Sequence, residues 1–176
     1  MTKFFAVNLH NQQVYLAGVK FDLNTNAISR VTGIPCIGER WFKKMHLNLI
    51  QYRPFLKPSC QADCKTMFPF SHLLDIYVLL MNIIMKYFTY EGRFSRVYSY
   101  HRRLLMHFTK TKLLHMPYYL CKSIEKMSSI MKKRHPFQHM SSLFHHSLIR
   151  VIISHQLEQQ GIPWEVFIAH DDFKIP

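Results

Sequence analysis

The chain has 176 residues, of which 48% are hydrophobic and 14% aromatic, and its formal net charge is +13 at pH 7. This composition supports a sizeable hydrophobic core and argues against wholesale disorder. Four cysteines are too few for a disulfide-stapled scaffold, and residues 1–9 lack the sustained apolar stretch of a secretory signal. We therefore expect free thiols and a reducing compartment, either the nucleus or the cytoplasm.

The N-terminal residues predict a β-hairpin followed by a short helix. Residues 4–9 and 14–21 are apolar stretches separated by polar residues, which is typical of two paired strands. Asn24 is suited to cap the helix that follows, and Gly33 is suited to end it. Prolines interrupt residues 36–70, for which we predict an irregular connection.

The pattern becomes helical after residue 70. Residues 72–88 are apolar on all sides, which predicts a helix that is capped by Ser71 and central to the core. Ser99 is expected to cap the next helix, which runs to Phe108. It carries arginines on one side.

Two further helices complete the prediction. Pro117 fits the first turn of a helix over residues 118–133, which has a single apolar stripe. Ser141 or Ser142 would cap the last helix, and Gly161 would end it. The expected architecture is a single, mainly α domain with a small N-terminal β-hairpin. Its parts are a hairpin and short helix (1–35), an irregular connection (36–70), a helical core (71–162) and an acidic tail (163–176).

Most of the positive charge lies in residues 93–134, here called the basic segment. It contains eleven Lys and Arg residues and one acid, Glu125, and so supplies +10 of the +13. Concentrated charge of one sign attracts polyanions. The residues expected to contact nucleic acid or another polyanion are Arg93, Arg96, Arg102, Arg103, Lys110, Lys112, Lys132, Lys133 and Arg134.

Aromatic residues within the basic segment admit two interpretations. They could stack on unpaired bases, or they could face the core while the charges form a solvated surface. Helical spacing favours the core for most of them. The same charge could instead serve to steer an acidic partner protein, which is the alternative to nucleic acid.

Metal and enzyme chemistry have weaker support. Cys60, Cys64 and His72 could supply three zinc ligands, but a fourth ligand is not evident and free thiols are the default. Five histidines lie between residues 135 and 155, where Pro136 disfavours a helix through the closest pair, so a structural or surface role is expected. The sequence contains no phosphate-binding glycine loop, no nucleophile elbow and no obvious carboxylate pair. We therefore predict no enzyme and no cofactor, and rank a zinc-dependent enzyme last.

Three stretches resemble one known family. Residues 21–35 contain Phe21, Ile28, Gly33 and Pro35 in a pattern similar to the "F-S-P-x-x-I-N-x-F-L-G-L-P" stretch of the plant transposon-protein domain, which occurs in retroelement-associated plant open reading frames. Residues 73–130 resemble its basic helical middle, and residues 143–162 its closing helix. Where the family has a proline at the start of that closing helix, this chain has two histidines.

The resemblance implies an α-rich fold and a plant origin, and it carries over no catalytic site. The functional hypothesis from the sequence is thus a non-catalytic, retroelement-derived module that contacts nucleic acid through the basic segment. The longest apolar run has thirteen residues, so no membrane span is expected.

Overall fold

The computed structural model describes Phe5 and residues 8–40, 49–62, 68–88, 96–109, 113–133 and 145–168, without the side chains of residues 49, 87, 99, 100 and 133. Its elements in chain order are β1 (Gln13–Leu16), β2 (Val19–Asp22), α1 (Thr25–Thr32), β3 (Phe68–Pro69), α2 (Asp75–Tyr87), β4 (Arg96–Val97), α3 (Ser99–Thr109), α4 (Met116–Lys133), α5 (His146–Gln159) and α6 (Trp164–Ile168). The prediction of a mainly α fold with a small N-terminal hairpin is confirmed.

The chain divides into two compact units. The terminal unit combines Met1–Cys36 with His115–Pro176, and the inserted unit is Ile37–Leu114. The predicted single domain, with its four parts, stays a prediction. The boundary at Leu114 cuts through the basic segment, so its arginine-rich and lysine-rich parts belong to different units.

The hairpin of the terminal unit is tighter than expected. Strand β1 pairs antiparallel with β2, with Val14 opposite Phe21. Ala17 and the glycine after it form the turn with φ angles of 50° and 72°. Two successive left-handed residues match the twist of the strands in a two-residue hairpin. The predicted pairing of residues 4–9 with 14–21 is therefore wrong, because the turn lies inside the second stretch.

The predicted cap and stop residues of α1 and the predicted stop residue of α5 are confirmed. The Asn24 Oδ1 accepts a hydrogen bond from the Ala27 N–H at 2.9 Å, and Gly33 ends α1 in the left-handed conformation. These are the predicted cap and stop. At the end of α5, the Ile162 N–H donates to the Leu157 carbonyl at 2.9 Å beside the left-handed Gly161, so that predicted stop is also confirmed.

Helices α4 and α5 are hydrogen-bonded to the backbone at the end of β2. The Gln156 amide accepts from the Asp22 N–H and donates to the Asp22 carbonyl, both at 2.8 Å. The buried Cys121 thiol donates to the Leu23 carbonyl at 3.2 Å. The core also includes Phe167, whose ring lies 5.4 Å from the ring of Phe21. Part of the predicted acidic tail thus belongs to the core.

The inserted unit is built around α2 and α3. Short 3-10 turns at Leu49–Phe55, Pro58–Cys60 and Phe70–His72 precede α2, and β3 pairs antiparallel with β4. The buried side chains of α2 and α3 are Met81, Ile84, Met85, His101, Arg102, Leu104 and Leu105.

Helix α2 departs from the prediction in two respects. It begins at Asp75 with Leu74 at the cap position and no side-chain cap, because Ser71 lies in the preceding 3-10 turn. It is also not central: Ile76, Leu79 and Ile83 are 65%, 61% and 44% exposed. Apolarity on all sides therefore did not indicate full burial here.

Helix α3 is also capped differently from the prediction. Tyr98 occupies the cap position, since its carbonyl accepts from the Arg102 N–H at 3.2 Å. The His101 Nδ1 accepts from the Tyr98 N–H at 3.3 Å, as a glutamate does in a capping box. Ser99 is the first helical residue, so its predicted role as the cap is wrong.

Candidate polyanion-binding surface

Helix α4 carries the lysine-rich part of the basic segment. The His115 Nδ1 accepts a hydrogen bond from the Tyr118 N–H at 3.1 Å and so caps the helix, and Pro117 lies in the first turn as predicted. A proline fits there because its missing N–H would have no intrahelical partner. The buried side of the helix carries Tyr119, Leu120, Ser123, Ile124 and Met127, which fixes the opposite side towards solvent.

Lysines recur on that solvent side. Lys122, Lys126 and Lys132 follow one another with Ser129 between the last two, at helical spacings of three or four residues. Such positions lie on one side of a helix. Lys126 and Lys132 are exposed and Lys122 is half-buried. These three lysines are called the basic face of α4, and they extend over about 15 Å along the helix axis.

Glu125 neutralises only one of the three lysines. The Lys122 Nζ donates to the Glu125 Oε2 at 2.6 Å, and this hydrogen bond raises the pKa of Lys122. The other carboxylate oxygen accepts from the Gln12 Nε2 at 2.9 Å. Glu125 is thus held by both neighbours, and within the described part of the chain no acid pairs with Lys126 or Lys132.

An open cleft of about 670 Å³ adjoins the basic face. It lies between α4 and the turn before β1, where Asn11 and Gln12 are both left-handed. The Lys132 Nζ donates to the Leu9 carbonyl at 2.6 Å, which ties this turn to the helix. All but one of the lining residues carry a polar side chain: Leu9, His10, Asn11, Gln12, Lys122, Glu125, Ser128, Ser129 and Lys132. Amides, hydroxyls and ammonium groups are the donors that phosphate oxygens accept from.

Arg102 lies in the core of the inserted unit, not on its surface. It is 2% exposed, and its guanidinium carbon is 4.7 Å from the ring centre of Tyr52 and 5.6 Å from that of Phe68. Stacking of a guanidinium on aromatic rings is favourable, all the more when water is excluded. The group that would bind a phosphate is thus enclosed by rings, and the burial of Arg102 gives its predicted polyanion contact no support.

Arg103 is also engaged within the inserted unit. Its side chain is 11% exposed and its Nη2 lies 3.8 Å from the Glu39 Oε2, which is also 3.7 Å from the His107 Nε2. Gly38 positions this carboxylate. At φ 102°, an added Cβ would lie 2.6 Å from the Leu113 carbonyl oxygen, and the Glu39 N–H donates to that oxygen at 2.9 Å.

The remaining predicted contacts divide into three groups. Arg96 is exposed on β4, and Lys132 belongs to the basic face of α4. Lys133 is the last residue of α4, but its side chain is outside the described set. The rest lie outside the described residues: Arg93, Lys110, Lys112 and Arg134.

Sequence reasoning left Lys122 and Lys126 out of the contact set. The sequence could have identified them, because helical periodicity places both lysines, like Lys132, on the side opposite the predicted apolar stripe. The aromatics of this helix do not form a stacking platform: Tyr119 is buried, and the Tyr118 ring lies 5.9 Å from the Lys122 Nζ.

The zinc prediction is only partly covered by the structure. Cys60 is a half-buried free thiol and His72 is half-buried, whereas Cys64 lies outside the described residues. In the described part of the chain, no group of three or more His, Cys, Asp or Glu residues is arranged to hold a metal ion.

The buried Cys121 and the partly buried His145 of the terminal unit have altered pKa values. Burial raises the pKa of Cys121 to about 12, with Glu125 adding to the effect. Burial lowers the pKa of His145 to about 4, and its Nε2 lies 3.2 Å from the Ser123 Oγ. Both groups are therefore uncharged at neutral pH, so neither adds to the positive surface.

Comparisons with protein-family models, curated proteins and solved structures find no match to this chain. The resemblance to the plant transposon-protein domain stays a prediction. Among the described residues, no helix is long and apolar enough to cross a membrane.

Proposed function

We propose that this protein is a non-catalytic module that contacts nucleic acid through the basic face of α4. The observation that carries the proposal is the alignment of Lys122, Lys126 and Lys132 on one solvent-facing side, where, among the described residues, an acid neutralises only Lys122. Arg102 and Arg103 form no part of the surface, because both are used within the inserted unit.

The mode of binding follows from the side chains present. Lysine ammonium groups contact phosphates and do not by themselves read bases. Since Tyr119 is buried, α4 offers no exposed ring from that position for base stacking. We therefore expect binding that is strongly salt-dependent and weakly selective for sequence. A retroelement origin and a nuclear or cytoplasmic location are part of the same proposal.

The test is fluorescence anisotropy with labelled single- and double-stranded oligonucleotides across a salt series. The triple variant K122Q/K126Q/K132Q removes three charges from the basic face. The matched control K20Q/R30Q/K57Q removes three charges elsewhere. Each phosphate neutralised on duplex DNA contributes about −0.9 to the slope of log K against log salt. We therefore expect the first variant to lose about 2 to 3 from that slope and at least about tenfold in affinity, and the control to retain the wild-type slope.

Two results would count against the proposal. If the two triple variants weaken binding equally, net charge and not the basic face attracts the nucleic acid. If wild-type protein binds no oligonucleotide at low salt but binds polyglutamate, the acidic-protein alternative is favoured.

A further inference from the structure

Helix α2 presents an exposed apolar stripe formed by Ile76, Leu79 and Ile83. The spacing of three and four residues places these side chains on one side of the helix. Met81, Ile84 and Met85 are fully buried on the opposite side. The stripe thus faces directly away from the core of the inserted unit, and such a patch on a soluble protein surface usually marks an interaction site.

Together with the half-buried Leu80, the stripe has isoleucines and leucines in symmetric positions. Residues 76–83 read I-Y-V-L-L-M-N-I, with isoleucine at both ends and a leucine pair in the middle. The pattern therefore has a centre between Leu79 and Leu80. In a two-fold, antiparallel contact between identical helices, this centre places each Ile76 opposite Ile83 of the second copy and the leucines at the axis.

The charges at the ends of the helix fit the same symmetry. Asp75 opens α2, and Lys86 lies in its last turn. In an antiparallel pair centred between Leu79 and Leu80, the rise of the helix puts each Asp75 within about 3 Å, along the axis, of the second copy's Lys86. Within one helix, Asp75 and Lys86 are eleven residues apart, which places both side chains on the same side. The Asp75 side chain is 96% exposed, and its contact with the Lys57 Nζ is a loose 3.7 Å.

We propose that α2 is a self-association surface, whose occupant is α2 of a second copy of this chain in an antiparallel, two-fold arrangement. Ile76 packs on the second copy's Ile83, the leucine pairs meet at the axis, and two Asp75–Lys86 ion pairs flank the apolar contact. One helix pair buries less than the roughly 1,200–2,000 Å² of a stable interface, so the dimer is weak, in the micromolar range.

Net charge opposes this dimer and sets the conditions for its detection. The inserted unit has thirteen Lys and Arg residues against four acids, a net charge of +9, and two copies repel each other. Moderate salt screens that repulsion while it leaves the apolar contact intact. The association is therefore measured on the nuclease-treated 176-residue protein in about 0.3 M KCl.

The experiment is sedimentation equilibrium over about 1 to 200 µM protein, with circular dichroism to verify the fold of each variant. L79E places two carboxylates at the axis, and we expect the dimer dissociation constant to rise at least about a hundredfold. V151E is the matched control, because Val151 is an exposed apolar residue on α5, outside the surface. It should associate like wild type.

Charge exchange tests the antiparallel geometry. D75K and K86D each place like charges opposite one another, and each should weaken the dimer at least about tenfold. The double variant D75K/K86D exchanges the partners and should restore most of the wild-type affinity. Only a pairing that brings Asp75 to Lys86 of the other copy predicts this rescue.

Results of three kinds would overturn the proposal. The first is wild-type protein that is monomeric throughout the concentration range. The second is L79E protein that associates as wild type does, or a double variant with no rescue. The third is Leu79-dependent binding to vesicles of anionic phospholipid by protein that stays monomeric in solution, which would assign the stripe to a membrane surface.

Discussion

His145 gives the terminal unit a specific sensitivity to acid. Its side chain is largely buried beside Ser123, and burial lowers its pKa from 6.5 to about 4. In the unfolded chain the imidazole returns to its ordinary pKa, so the unfolded state binds more protons between these two values. The free energy of unfolding therefore keeps the full contribution of the neutral imidazole above pH 6.5, and it loses this contribution as the pH falls towards 4.

The size of the effect follows from the two pKa values. One pKa unit corresponds to about 1.4 kcal/mol, so the full difference corresponds to about 3 kcal/mol. Between pH 7 and pH 4.5 the linkage relation gives a loss of about 2 kcal/mol in the free energy of unfolding from this histidine alone. That is a large part of the stability of a typical domain.

The assay is urea unfolding of wild type and of H145N at the two pH values. Asparagine tolerates the left-handed backbone of this position, where φ is 61°, and it does not titrate. We expect H145N to lose about 2 kcal/mol less than wild type on acidification. H146Q is the matched control, since it replaces the exposed histidine at the adjacent position and keeps His145. If H145N and wild type lose the same stability, burial of His145 does not cause the acid sensitivity.

Three further predictions concern buried groups. R102M should lower the free energy of unfolding by about 2 kcal/mol in urea titration, because the guanidinium no longer stacks on two rings. The oligonucleotide affinity of R102M should equal that of wild type. A large loss of affinity in the folded variant would show that Arg102 does contact the nucleic acid. The Cys121 thiol should react with Ellman's reagent only on unfolding, since burial raises its pKa to about 12, and rapid reaction in native protein would contradict that burial. G38A should destabilise the protein by about 2 kcal/mol in thermal unfolding, because its Cβ would meet the Leu113 carbonyl at φ 102°; unchanged stability would mean that this approach is not tight.

Local signals predicted the ends of several helices correctly. Asn24, Gly33, Pro117 and Gly161 each act within one helical turn, through a single hydrogen bond or a single backbone conformation. Such signals need no knowledge of the rest of the chain. The hairpin turn was missed because Ala17 provides one of its left-handed residues, and alanine is not a residue that predicts such a turn.

The environment of the arginines depends on residues that are distant in sequence. Arg102 is buried because Tyr52 and Phe68 close over it, and Arg103 is engaged because Glu39 reaches it from far along the chain. Charge content alone therefore overestimated the contact surface in the inserted unit. In α4 the helical period was sufficient to identify the solvent-facing lysines, because the apolar stripe opposite them is continuous, but Lys122 and Lys126 were not included in the predicted contact set.

The most direct test of the proposed contact surface is lysine footprinting. Free and oligonucleotide-bound protein are treated briefly with an amine-acylating reagent, and modification at each lysine is measured by mass spectrometry. Bound nucleic acid should protect Lys126 and Lys132 by at least about threefold through their phosphate contacts, while Lys57 and Lys86 of the inserted unit keep their free reactivity. Equal protection of all four lysines, or none at Lys126 and Lys132, would contradict binding through the basic face of α4.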